Sequence, residues 1–125
     1  MKFLIIAIVM AISLPTAAAD LDTTTREAKQ GIVSSQVELA KHYIRDSDFK
    51  RAMFWLAEAK RQGNPDAQTL IGYMYHTGAG MEPNLKLAQV WYVKAANQGH
   101  KEALEMLNIL NRTYNTGAMI LKPKD

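Results

Sequence analysis

The segment Phe49–Gly63, FKRAMFWLAEAKRQG, returns 36 positions later as Leu85–Gly99, LKLAQVWYVKAANQG. Ala52 recurs as Ala88, Trp55 as Trp91, Ala59 as Ala95 and Gln62-Gly63 as Gln98-Gly99, and just beyond them Ala67 recurs as Ala103. A shorter offset of 32 carries Gln30-Gly31 onto Gln62-Gly63 and Tyr43 onto Tyr75. The two offsets differ by four residues, which fall in a loop while the flanking pattern persists. Self-similarity at such a period marks a repeat architecture whose units stack on their neighbours.

Each unit reads as two short amphipathic helices. Ser34 to Ile44 carries Val37, Leu39, Ala40, Tyr43 and Ile44 at three- and four-residue spacing, and Phe49 to Arg61 carries Ala52, Met53, Leu56 and Ala59 likewise. Gly63 follows the basic end Lys60-Arg61, where a left-handed residue closes a helix and cations suit the negative dipole end. Asn64-Pro65 restarts the chain as N-cap and first helical residue. The next pair is predicted at Pro65 to Thr77 and Leu85 to Gln98, with the loop Gly78 to Pro83 and the cap Asn84 between them. Lys101 to Thr113 is a lone final helix, and Thr24 to Gln30 is the remnant of one before the first full unit. Small residues recur where helices must approach closely: Ala40 and Gly72 on first helices, Ala52, Ala59, Ala88 and Ala95 on second ones. Trp55, Trp91, Tyr43 and Tyr75 read as core or near-core packing.

The pattern Ala67-x3-Ile71-Gly72-x2-Tyr75-x2-Gly78-x-Gly80-Met81-x-Pro83-Asn84-x3-Ala88-x2-Trp91-Tyr92-x-Lys94-Ala95-Ala96-x2-Gly99-x3-Ala103 resembles a Sel1-like repeat, the longer relative of the tetratricopeptide repeat. The preceding unit matches with a shortened loop through Leu39-Ala40, Tyr43, Ala52, Trp55, Ala59 and Gly63. Asn84 stands where the family usually shows Asp, and the first unit lacks the glycine loop. The resemblance implies an all-α fold, a short right-handed α/α solenoid of helix-turn-helix units. It divides the chain into a half-unit 24–33, repeats 34–66 and 67–102, a capping helix 103–114 and a tail 115–125. Two complete units fall below the roughly three usually needed for stability, so the half-units are expected to act as caps or as contacts with another chain. Homodimerisation or one tightly fitting partner would extend so short a groove.

The N-terminus joins Met1-Lys2 to an uncharged apolar run, Phe3 to Leu14, then Pro15-Thr16 and Ala17-Ala18-Ala19. This is the pattern of a secretory signal peptide, residues 1–19, with cleavage expected before Asp20. The run is too short for a spanning helix, which needs roughly 20 apolar residues. The chain has no cysteine, so neither a lipid anchor on a new N-terminal cysteine nor disulfide staples are available to it. Fifteen basic against twelve acidic residues, interspersed throughout, give no footprint for nucleic acid. The expected location is therefore the periplasm or the secreted fraction, with membrane contact only through the leader.

Candidate chemistry is sparse. His42, His76 and His100 lie in different units without zinc-ligand spacing, so no metal or other cofactor is expected. His100 reads as an N-cap residue, and His42 and His76 as exposed polar positions. Gly78-Ala79-Gly80 lacks the Gly-Lys-Ser/Thr and the strand of a phosphate loop. With no nucleophile and base in view, the chain is not expected to be an enzyme. In tetratricopeptide-like arrays the first helix of each pair lines the concave face. The resemblance then assigns to that face Val37, Lys41, Ile44 and Arg45, then Thr69, Tyr73 and His76, then Glu105, Ile109 and Arg112. The function this implies is binding of a periplasmic or secreted protein, as an adaptor or as an immunity or inhibitor protein against a secreted toxin or enzyme. The rival expectations are a peptidoglycan or β-lactam binding protein or hydrolase of the cell wall, and a structural subunit of an envelope complex. The apolar run Ala118-Met119-Ile120-Leu121 is expected to fold back as a cap or to touch a partner.

Overall fold

The computed structural model describes residues 17–117, with side chains described for 20–114. Six helices account for them: α1 (Ala17–Lys29), α2 (Val33–Arg45), α3 (Phe49–Arg61), α4 (Pro65–Thr77), α5 (Leu85–Ala96) and α6 (Lys101–Gly117). No strand occurs among the described residues. Each helix packs on the next in the chain, so the array is a solenoid of paired helices. The pairs α2–α3 and α4–α5 are the two complete units; α1 is a second-type helix before them and α6 a first-type helix after them. The remaining leader residues and the tail 118–125 lie outside the described residues.

The helix starts follow from their caps. Asp48 accepts the Arg51 backbone N–H, Asn64 that of Ala67 and Asn84 that of Leu87, each satisfying one donor that the first turn leaves over. Pro65 occupies the first turn of α4, where its missing N–H costs nothing. Gly31, Gly63 and Gly99 recur with positive φ at the helix exits, the conformation expected there.

Two departures from the sequence-based expectation concern length. α1 is a full helix of 13 residues that begins at Ala17, rather than a remnant from Thr24, and it runs through the expected cleavage bond. Its threonines fit because Thr24 Oγ1 donates to the Asp20 carbonyl at 2.8 Å and Thr25 Oγ1 to that of Leu21 at 2.7 Å, which removes their usual competition with the helix. α6 continues to Gly117, four residues past the expected end.

The core is built of small and aliphatic residues. Val37, Ala40, Leu56, Ala59, Ala67, Ile71 and Met74 form one cluster, against which Trp55, Tyr75 and Trp91 pack half-buried. A second cluster joins Ala88, Tyr92 and Leu110. Tyr92 is the largest fully buried side chain, an identity that the sequence reading left to its neighbour Trp91. Its ring lies over the middle of α4, where a Cβ on Gly72 would come within 2.7 Å of it. Polar bonds tie the two helices of each unit together: Gln62 Nε2 donates to Gln36 Oε1 at 3.4 Å, and Gln98 Nε2 to Gln68 Oε1 at 2.9 Å. One register position, repeated, thus holds each second helix to its own first helix.

Candidate functional site

The first helices α2, α4 and α6 place equivalent residues in rows. Offsets of 32 and 36 put Lys41, Tyr73 and Ile109 at one register position. Lys41 is half-buried and bonded to Glu38 at 2.8 Å; Tyr73 and Ile109 stand exposed, at 41% and 49%. Arg45, Glu105 and Arg112 are exposed as well. Eight of the ten expected site residues, all but Val37 and Thr69, are therefore at least partly open to a partner.

Three of the ten differ from the exposure expected of them. Val37 and Thr69 are buried, both at 3%, and are not part of an accessible surface. They share one register position, which faces the following unit. Val37 enters the main cluster, and Thr69 is covered by the start of α6, with its hydroxyl donating to the Pro65 carbonyl at 2.8 Å and lying 3.1 Å from His100 Nδ1. Glu105 occupies the same register in α6 and is exposed because no further unit covers it among the described residues. His76 is half-buried rather than exposed, its Nδ1 3.4 Å from the Tyr92 hydroxyl. Burial in turn pushes the Tyr92 phenol far above the ordinary range, so it stays protonated. His42 is also half-buried, 3.1 Å from Asp46. His100 caps α6 by accepting the Ala103 N–H at 3.3 Å, and its Nε2 lies 2.7 Å from Asp66.

These histidines serve helix ends and seams. No group of three or more His, Asp or Glu converges on a metal-sized space among the described residues. The hydroxyl–carboxylate pair of Ser35 and Glu27, 2.6 Å apart, joins α2 to α1 without a histidine beside it. Asp48 is held below the usual carboxylate range by the Arg51 backbone N–H and then by its guanidinium, which is the behaviour of a cap. A recess of about 190 Å³ between α1 and α2, lined by Asp20, Thr24, Glu38, His42 and Arg45, flanks the row at its N-terminal end. Such an arrangement offers charge pairs and an exposed Tyr and Ile to another surface.

Helix pairs stacked in chain order, each packed on its neighbours, define an α-helical repeat protein. The pattern of the Sel1 repeat matches residues 33–64 and 65–100, and the chain belongs to the Sel1 repeat family. It is similar to a Sel1 repeat protein from Oxalobacter formigenes of known crystal structure, with 33% identity, a TM-score of 0.64, and coverage of 84% of this chain and 80% of that one. It is also similar to Chitin synthase regulatory factor 4 of Schizosaccharomyces pombe, 38% identical over 88 residues, and to Chitin synthase regulator SKT5 of Saccharomyces cerevisiae, 37% identical over 62. These matches cover 66% and 50% of this chain but only 13% and 9% of those much longer relatives.

Proposed function

We propose that this chain is an exported, non-catalytic adaptor that binds another protein, periplasmic or secreted, through the concave face of its first helices. The observation that carries the reading is the row Lys41, Tyr73 and Ile109, in which an exposed aromatic and an exposed aliphatic side chain sit where the repeat has no structural need of them. Aromatic and arginine side chains are the usual anchors of protein interfaces, and Arg45 and Arg112 flank this row. Relatives named as regulators of an enzyme support a regulatory protein contact rather than catalysis. Export rests on the leader Phe3 to Leu14 with Ala17 and Ala19 before the cut. Cleavage there leaves α1 from Asp20 onward, including the residues that bond to α2.

The test is a partner isolated on the immobilised protein from periplasmic and secreted fractions, followed by titration. The expected bait is a processed chain starting at Asp20, and Tyr73→Ala is expected to weaken its affinity for the partner about 30-fold, the size of an interface hot spot. Charge reversal at Lys41, Arg45 and Arg112 adds to that loss while the helical circular dichroism stays constant. An unchanged affinity in both variants removes the site from this face, and an intact, unprocessed chain in the cytoplasm removes export.

A further inference from the structure

The second helices of the two complete units differ from the first helices in charge. α3 and α5 together hold six basic residues and one acid, Glu58, whereas α2, α4 and α6 hold four of each. Arg51 is paired with Asp48 and Arg61 with Glu58, while Lys60 and Lys94 lie over the Trp91 ring at 5.4 and 4.5 Å. Lys50, whose charge also helps to hold the Asp48 carboxyl low, and Lys86 are exposed, and they occupy one register position near the N-terminal ends of the two helices. The same outward side carries apolar side chains that a solvated face does not need. Phe54 is 60% exposed and Val90, its equivalent 36 residues on, is 47% exposed, with Leu87 and Val93 beside it. Beneath Phe54 opens a crevice of about 590 Å³, lined by Phe49, Met53, Phe54 and Ala57 of α3, Met74 at the end of α4 and Met81 in the following loop. Lys50 stands at its rim.

We propose that this crevice and the ridge beside it dock an acidic amphipathic helix of a partner protein. Apolar side chains of that helix enter the crevice, whose methionines adapt to their shape. Its apolar neighbours lie along Phe54 and Val90, the usual mode of a helix laid into a groove. Its carboxylates meet Lys50 and Lys86, and the excess of base on α3 and α5 selects acid over base. A recess of this volume takes several side chains from one face of a helix, whereas a flat lipid surface would leave it unfilled. The ridge belongs to α3 and α5 and the Tyr73 row to α2, α4 and α6, so separate variants test the two sites.

The probe is a synthetic, fluorescein-labelled helix of about 14 residues, with Leu and Phe at i, i+3, i+4 and i+7 and Glu elsewhere. It is titrated into the purified full chain, beside the same peptide with Lys for Glu. The acidic peptide is expected to bind at least about tenfold tighter than the basic one, and more weakly as salt rises. Phe54→Ala and Ala57→Arg, both at exposed positions, are each expected to reduce binding about tenfold with unchanged helicity. The pair Lys50→Glu and Lys86→Glu is expected to invert the preference between peptides, and Tyr73→Ala to leave it unaltered. Equal binding of the two peptides, or retention of binding in both crevice variants, overturns the proposal. So does sedimentation with anionic phosphatidylglycerol vesicles without peptide binding, which assigns the face to lipid, and a concentration-dependent dimer lost on Phe54→Ala, which assigns it to a second copy.

Discussion

Where the first unit has Ala40 and Leu56 on its paired helices, the second has Gly72 and Tyr92 at the equivalent positions. Leu56, Ala40 and Tyr92 are all fully buried, so both seams are closed to solvent. The larger ring in the second unit is matched by the loss of the one side-chain carbon opposite it. Conservation of volume across a seam, with different pieces on either side, is what close packing demands. The comparison teaches that a repeat preserves the spacing of its helices more strictly than the residues that set it. Glycine in the middle of α4, a weak helix former, is retained by a tertiary requirement that outweighs its local cost.

The largest expected effect comes from emptying the second seam. Tyr92→Ala removes a fully buried ring above a glycine that has no side chain to follow it inward, and is expected to cost about 4 kcal/mol by urea unfolding. A loss below about 1 kcal/mol would mean that the ring is not packed there. The next effect overfills the same place. Gly72→Ala brings a Cβ within 2.7 Å of two ring carbons and 3.3 Å of the Ala88 carbonyl oxygen, and is expected to cost about 2 kcal/mol. Adding Tyr92→Leu to it recreates the Ala–Leu seam of the first unit. The double variant is expected to be more stable than the sum of the two losses by at least about 1 kcal/mol, and additivity would show that the two units do not share one packing solution.

The same contrast separates what the sequence made legible from what it did not. The start of α4 could be read because Asn64 and Pro65 announce it chemically, and each performs the expected task, whereas the cap that Asp48 places on α3 was not singled out. The repeat itself was legible because Trp, Ala, Gln and Gly recur at fixed spacing. α1 was under-read because its apolar signal is thin and its three consecutive threonines disfavour a helix until the hydroxyls of Thr24 and Thr25 are seen bonded back along it. Register also told which positions share a face without telling which are covered. Val37, Thr69 and Glu105 are equivalent, yet two are buried by the following helix and the third is open. The crevice on α3 escaped notice for a related reason. Met53 read as one position of an ordinary apolar stripe, and only the placement of Phe49, Met74 and Met81 beside it reveals a recess.

The loops of the two units offer the smallest and most local contrast. The second unit turns on Gly78 and Gly80, with φ of 73° and 72°, whereas the first turns in three residues on Ser47, with φ of 58°. A left-handed conformation costs a non-glycine residue roughly 1–2 kcal/mol from the crowding of its Cβ. Ser47 keeps it because the short link closes the exit of α2, where the Ser47 N–H donates to the Ile44 carbonyl at 3.0 Å and the Asp48 N–H to that of Tyr43 at 2.8 Å. Ser47→Gly relieves the crowding but releases a more flexible unfolded chain, a loss of about 0.5–1 kcal/mol. The net expectation is a gain of about 0.5 kcal/mol, read as a small rise in the urea midpoint with no change in slope. A destabilised variant would show that the Ser47 side chain, and not only its backbone, holds the first unit's turn, and that the two loops differ in more than length.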